Sequence, residues 1–349
     1  MVLPLRNKGG QARAVQVREW DPGSAADAEI EAVQGVLNSV VSTDVPDDPR
    51  WTLNMLREYL AITLPGESRV SWLAVDGGEK IVGHASLLML EDIGVLELSV
   101  RAEARRDHIG TALLRAVAER ADEAGYQSLG VEVVGGTSSV DFFEANQFRC
   151  AFIEMRNVLD LREVDWLRLG EMAAGVGAGY RIEYYPDGPP EPLLGAYAVA
   201  KEAARLSELG DLELRPSSYD AERLRDSLAT LRARGLRPYI VVAVHEKTET
   251  IAGLTEVVVP AMRPTRADQY DTVVVPIHRG YGIGRAIKAR MLFELRAAEP
   301  NLVDVQTWNA VENEPMLKVN SELGFKPDRQ WREYEADVPE LLEHLKSKV

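Results

Sequence analysis

One cysteine, Cys150, stands in 349 residues. No disulfide can form within the chain, which suits a reducing compartment. Its neighbours Phe148, Ala151 and Phe152 read as strand packing and give the thiol a structural role. No stretch approaches the ~20 apolar residues of a membrane span, and no apolar run follows the first charges as in a signal peptide. Basic charge is in deficit: 40 Lys and Arg stand against 55 Asp and Glu, a net charge of −15. That argues against attraction to nucleic acid or acidic membrane and leaves room for cationic substrates such as amines. His84, His108, His245, His278 and His344 show no metal-ligand spacing. There is no Gly-x-Ser-x-Gly elbow and no Walker lysine. The expectation is a cytoplasmic protein with no metal, no nucleic-acid partner and no membrane partner.

What is present is ordinary globular material, 46% hydrophobic and 27% charged, at a length suited to two domains. Residues 1–11 read as a frayed end. A first series follows: strand Ala12–Trp20, helix Ser24–Val41, helix Trp51–Ile62, strands Val70–Val75, Lys80–Met89 and Ile93–Val100, helix Thr111–Ala124, strand Leu129–Val134, helix Ser138–Ala145 and strand Phe148–Leu159. A second series has the same order. It runs through strand Tyr180–Tyr185, helix Glu191–Leu206, a short strand or link Leu212–Arg215, and helix Asp220–Arg234. Strands Tyr239–Val244, Thr250–Val259 and Tyr270–Val275 come next, then helix Arg285–Leu295, strand Leu302–Trp308, helix Glu314–Leu323, strand Gln330–Ala336 and helix Pro339–Lys346.

The spacing of the two series repeats. Val274, Pro276, Arg279, Gly282 and Gly284 fall at the same steps as Val100, Ala102, Arg105, His108 and Gly110, with 274 − 100 = 174. Upstream, Gly253 and Gly83 differ by 253 − 83 = 170; downstream, Phe325 and Phe148 differ by 325 − 148 = 177. This is a duplicated domain, divided as 1–168 and 169–349, with the glycines Gly175, Gly177 and Gly179 near the boundary.

Within the repeat, Val274 to Lys288 reads as strand, glycine-rich turn and helix. Glycines permit positive φ and close approach, and a helix start favours a phosphate. Arg279 adds a cation that can pair with a phosphate oxygen. Taken alone, the segment is equally a plain strand–helix turn.

At these residues the sequence resembles the GNAT superfamily of acyl-CoA-dependent N-acyltransferases. Arg279-Gly280-Tyr281-Gly282-Ile283-Gly284 fits its coenzyme turn, and Asn313 with Gly324-Phe325 fits a second family feature. The stretch Thr307-Trp308-Asn309-Ala310 through Asn313, Met316 and Asn320 looks like a bacterial tandem subgroup, similar in build to mycothiol synthase. The resemblance implies an α/β (α+β) protein of two tandem GNAT folds, each a mixed, mostly antiparallel splayed sheet flanked by helices. It implies acetyl-CoA as co-substrate, pantetheine along the strand edge Val273, Val274 and Val275, and pyrophosphate over Arg279 to Gly284. Arg285, Asn313 and Met316 complete the coenzyme set. A primary amine of a small molecule would attack the thioester directly, in a monomer or homodimer. Acceptor contacts would come from about Gly188 to Arg237.

Deprotonating that amine needs a base. Asp268, Asp271 and Glu256 are the candidates, with Asp271 preferred because it shares a strand face with Val273. His278 acts as a base or braces the turn. Asn320 stands where the family often has a thiolate-protonating tyrosine; Tyr281 and Tyr270 are other possible proton donors or simply packing residues. In the first half His108 replaces the central glycine, Gln147 the closing glycine, and Phe143 the tyrosine position. That half reads as a degenerate copy without chemistry, which leaves coenzyme binding there open.

Overall fold

The computed structural model describes residues 2–6, 12–61, 67–90, 93–208 and 220–347. The expected link Leu212–Arg215 lies outside them. The chain divides into two units: Met1–Phe152 with Arg332–Val349, and Ile153–Leu212 with Ser217–Trp331.

The first unit opens with β1 (Val2–Arg6) and β2 (Ala12–Trp20), then α1 (Asp27–Asp44), α2 (Leu53–Ala61), β3 (Glu67–Val75), β4 (Ile81–Leu90) and β5 (Ile93–Val100). After these come α3 (Ile109–Glu123), β6 (Ser128–Val134) and α4 (Ser138–Glu144). Strand order is β1-β2-β3-β4-β5-β6. Asp76 fixes the β3–β4 hairpin, its Oδ1 accepting from the amides of Gly78 and Lys80, both at 3.0 Å. All pairs are antiparallel except β5–β6, which is parallel and holds only at Gly94–Leu129 and Val95–Gly130.

The end of the first unit corrects one expectation. Residues 2–6 are not frayed: β1 pairs antiparallel with Ala12–Gln16. Pro4 obscures the strand pattern, yet an edge strand tolerates proline because one side of it makes no ladder.

The second unit takes β7 (Arg149–Asp160) from Ile153 onward, then α5 (Trp166–Ala174), β8 (Tyr180–Pro186), α6 (Leu194–Glu208), α7 (Ala221–Ala233), β9 (Leu236–His245), β10 (Thr250–Pro260) and β11 (Arg266–Val274). It ends with α8 (Ile283–Ala298), β12 (Asp304–Ala310), α9 (Glu314–Leu323) and the start of β13 (Lys326–Asp337); α10 (Val338–Ser347) closes the chain. Helix α5 spans the boundary expected between residues 168 and 169. Asp165 caps it, accepting from Arg168 N at 3.1 Å, and Leu169 and Met172 are buried under it. Strand order is β7-β12-β11-β10-β9-β8.

The last strands have changed places. β7, which closes the first series, pairs antiparallel with β12 from Asp160–Asp304 to Glu154–Ala310. The end of β13 lies beside β6. There Tyr334, Val338, Leu341 and Leu345, all fully buried, enter the first unit's core with Leu113, Leu114 and Val117 of α3. Burying each such side chain contributes about 1.5–3 kcal/mol.

Each sheet is covered on both faces. In the first unit α3 and α10 cover one face, and α1 and α2 pack on the other around Trp20, Leu73 and Ile81. In the second, α8 and α5 cover one face and α6 and α7 the other, the latter over Ile240, Leu254 and Val273. The architecture is the mixed, mostly antiparallel, splayed form expected for each half.

Candidate active site

The second unit's parallel pairing of β11 with β12 runs only from Arg266–Asp304 to Gln269–Thr307. β11 continues to Val274 and β12 to Ala310, so the two part beyond Gln269 and leave a strand edge open. The register slips there: β10 advances from Thr255 to Val257 while β11 goes from Thr272 to Gln269. This β-bulge holds Tyr270 and Asp271 and re-aims them. Beyond it, Val275 N donates to Ala252 O at 2.9 Å. Inward and outward backbone groups alternate along an antiparallel ladder, so Val274 and Thr272 present theirs to the open edge. Of Val273, Val274 and Val275, it is Val274 that faces the gap.

The turn after β11 begins with a 3-10 turn at Pro276–His278, and Gly282 is the N-cap of α8. Gly280 has φ 88° and Gly282 φ 73°. A Cβ on Gly282 would lie 3.2 Å from the Gly175 carbonyl oxygen, and one on Gly284 3.4 Å from Val274. Gly282 O accepts from Ala286 N at 3.1 Å. The amides of Ile283, Gly284 and Arg285 precede that first helical bond and point out of the helix end, a cradle for an anion. Arg279 lies beside it and donates Nε to Val274 O at 3.3 Å. Tyr281 is exposed, its carbonyl held by Gly177 N at 3.0 Å.

The remaining coenzyme candidates lie on or near α9. Arg285 pairs with Glu322 of α9 at 3.3 Å. Asn313 caps that helix, accepting from Met316 N at 3.3 Å. Asn320 is 1% exposed and donates Nδ2 to Asn309 Oδ1 at 2.5 Å; its own Oδ1 has no partner among the described residues. That orphaned acceptor, the open edge and the uncrowded glycine turn together fit a pantetheine diphosphate.

Two of the candidate bases meet on the α6 side. Lys201 Nζ lies 2.7 Å from Glu256 Oε2 and 2.7 Å from Asp271 Oδ2. Tyr197 donates to the other oxygen of Glu256. Glu256 is 13% exposed and Asp271 47%, so Asp271 is the more accessible carboxylate. Sequence reading missed Lys201 and Tyr197. They sit four residues apart on one helix face, but nothing local shows which strand that face covers.

Asp268 and His278 stand apart from this pair. Asp268 is on the paired part of β11, bonded by Gln306 Nε2 at 2.5 Å, and burial raises its pKa. His278 Nδ1 bonds the Tyr180 hydroxyl at 3.0 Å, and its ring packs on Tyr180 and His245. Burial and His245 lower its pKa. This arrangement braces the turn from the α8 side. Tyr270 is 46% exposed.

The first unit repeats the turn with other side chains. Arg106 and His108 take φ 71° and 56°, the conformations of Gly280 and Gly282. Arg105 donates Nε to Val100 O at 3.4 Å, as Arg279 does to Val274. Its guanidinium, however, grips Asp44 at 2.8 and 2.6 Å and Ser138 at 3.2 Å. A carboxylate of the chain itself thus sits on the arginine that corresponds to Arg279.

Residues 37–148 match the model of the acetyltransferase (GNAT) family. That part of the chain is thus similar to the GNAT acetyltransferase family. The match falls in the first half, the copy with the altered turn. Over nearly the whole chain the fold is that of tandem GNAT structures. A tandem GNAT protein from the clavulanic acid biosynthesis pathway is 23% identical, with a TM-score of 0.77 over 93% of this chain and 98% of that one. A GCN5-related N-acetyltransferase from Sphaerobacter thermophilus is 15% identical, with a TM-score of 0.69 over 93% and 96%. No protein of curated function matches the chain. Among the described residues no helix is long and apolar enough to cross a membrane.

Proposed function

We propose that the second unit transfers an acetyl group from acetyl-CoA to a primary amine of a small molecule. The observation that carries this reading is the convergence of Asp271 and Glu256 on Lys201 beside the open edge of β11. Acetyl-CoA supplies the activated acetyl group; Val274, the Gly280–Gly284 turn and Arg279 would hold it. An alkylammonium has a pKa near ~10.4 and is charged at neutral pH, so it must lose a proton before it can attack. Asp271 takes that proton. Glu256, held by Tyr197, anchors Lys201, and Lys201 orients Asp271. Asn320 is no acid, so the thiolate leaves with a proton from solvent or stays ionised. The net charge of −15 supports a cationic small molecule over nucleic acid as the acceptor, and we place the reaction in the cytoplasm.

The test is acetyl-CoA turnover against a panel of primary amines, read by thiol release. At least one amine should release thiol in the wild type, and Asp271→Asn should suppress it. Coenzyme A binding without thiol release for any amine would instead support an acyl-CoA-binding or sensing protein. Turnover with peptide amines alone would move the acceptor to proteins.

A further inference from the structure

Under α1 and α2, three positions of the first unit are polar where the second unit's equivalents are apolar. Trp20, Ser71, Ser86 and Glu97 stand in one row across β2, β3, β4 and β5, paired residue to residue. His84 is two residues from Ser86 on the same face, opposite Leu73 and Ser99. By the repeat, 71 and 84 correspond to Ile240 and Leu254, since Ser86 pairs with Ser71 as Glu256 pairs with Ile240. Ser99 corresponds to Val273. All three second-unit residues are buried in one apolar cluster. Glu97 corresponds to Asp271 (271 − 174 = 97).

Glu97 itself is satisfied: Tyr59 donates to Oε1, and Ser86 donates to Oε2 at 2.7 Å. The atoms around it are not. Trp20 Nε1, Ser71 Oγ and His84 Nε2 have no hydrogen-bond partner among the described residues, and these residues are 4%, 1% and 4% exposed. The three guanidinium nitrogens of Arg69, two residues from Ser71 on the same face, are likewise shut from solvent without a partner. The guanidinium lies 4.1 Å over the Tyr59 ring. Burying so many polar groups unpaired is unfavourable, and in native proteins such groups have partners. Most of those here are donors, and among the described residues no carboxylate is bonded to the Arg69 guanidinium.

We propose that this face is a ligand site for a small organic carboxylate, whose oxygens pair with the Arg69 guanidinium while its polar body meets Trp20, Ser71 and His84. A planar guanidinium matches a carboxylate bidentately. Ligand reaches Glu97 from the gap where β6 leaves β5 after Val95. Binding here is separate from acetyl transfer: the adjacent turn carries His108, and its arginine is occupied by Asp44. The first unit thus acts as a metabolite-recognition module.

Full-length protein is titrated with acetate, succinate and glutamate, and with acetamide and succinamide as uncharged controls, by calorimetry. The Trp20 indole N–H resonance, assigned with Trp20→Phe, is followed in parallel. At least one carboxylate should bind saturably and shift that resonance while the amides do not, and Arg69→Gln should weaken binding at least tenfold. Asp271→Asn, in the other unit, should leave it unchanged, so loss of acetyl transfer does not mimic loss of this site. The proposal is overturned if no carboxylate moves the Trp20 resonance of the wild type, if amides bind equally well, or if folded Arg69→Gln binds as the wild type does.

Discussion

His108 and Gly282 hold the same left-handed backbone, φ 56° and 73° with ψ 8° in both, at the same step of two copies of one turn. The turn's path survives in the first unit although its glycine does not. A side chain in that region costs roughly 1–2 kcal/mol, partly offset because glycine has more unfolded-state freedom to lose, worth ~0.4–1 kcal/mol. His108→Gly should therefore raise stability by up to about 1 kcal/mol. Gly282→Ala should lower it by about 1 kcal/mol or more, since its Cβ also meets Gly175 O at 3.2 Å. Urea unfolding checks both, and Gly282→Ala should also weaken coenzyme A binding.

Lys201 and Asp271 should respond differently to substitution. Lys201→Met leaves Glu256, 13% exposed, without its cation. Breaking a buried pair from one side costs about 3–5 kcal/mol, so the variant should unfold at markedly lower denaturant. Asp271 is half exposed, and Asp271→Asn should keep stability within about 1 kcal/mol. Its thiol release should fall ~10²–10⁴-fold, the usual contribution of a general base.

Lys288 gives a stability that depends on pH. It is 1% exposed, its ammonium lies 5.3 Å from the Phe325 ring, and burial lowers its pKa to about 7. The unfolded value is near ~10.4. Between these values only the unfolded chain holds the proton, so this residue makes stability rise with pH across the window. Below pH ~7 both states are protonated and the full burial penalty applies. Lys288→Leu, which installs the residue of the sister position (288 − 174 = 114, Leu114), should stabilise most below pH 7. The gain, roughly 5 kcal/mol at most from the shift alone, should shrink toward pH 10. Chemical unfolding at pH 6, 8 and 10 measures it.

A chain stopped after residue 168 should not fold. It ends with β7 but lacks the part of β13 and all of α10 that put Tyr334, Val338, Leu341 and Leu345 into the first unit's core. Circular dichroism and dye binding should report an expanded, loosely packed product. Adding residues 332–349 as a linked segment should restore cooperative unfolding.

The strand–glycine turn–helix was legible in the sequence because its requirement is local: positive φ at Gly280 and Gly282 favours glycine. The repeat was legible for a similar reason, since the two series keep one order and one spacing. The exchange of β7 and β13 was not legible. Both strands keep their length and alternation whichever sheet they join, so no residue marks the partner. Lys201 and Lys288 were hidden in the opposite way. A lysine in an amphipathic helix reads as solvated, and only the packing of α6 on β10 and β11, or of α8 against Phe325, shows each to be buried. Asp271 was selected by its strand face, but its accessibility relative to Glu256 comes from the bulge at Tyr270–Asp271, which shifts register without a glycine or proline to announce it.

The placement of the final strand also sets a clock on synthesis. Ribosomes add about 5–20 residues per second, so the first unit waits roughly 10–40 s after its own residues emerge before Tyr334 and α10 arrive to close it. During that interval the second unit is being made with β7 as one of its strands. The half that leaves the ribosome first is the half that finishes last, and a nascent first unit is a standing client for chaperones until α10 has been made.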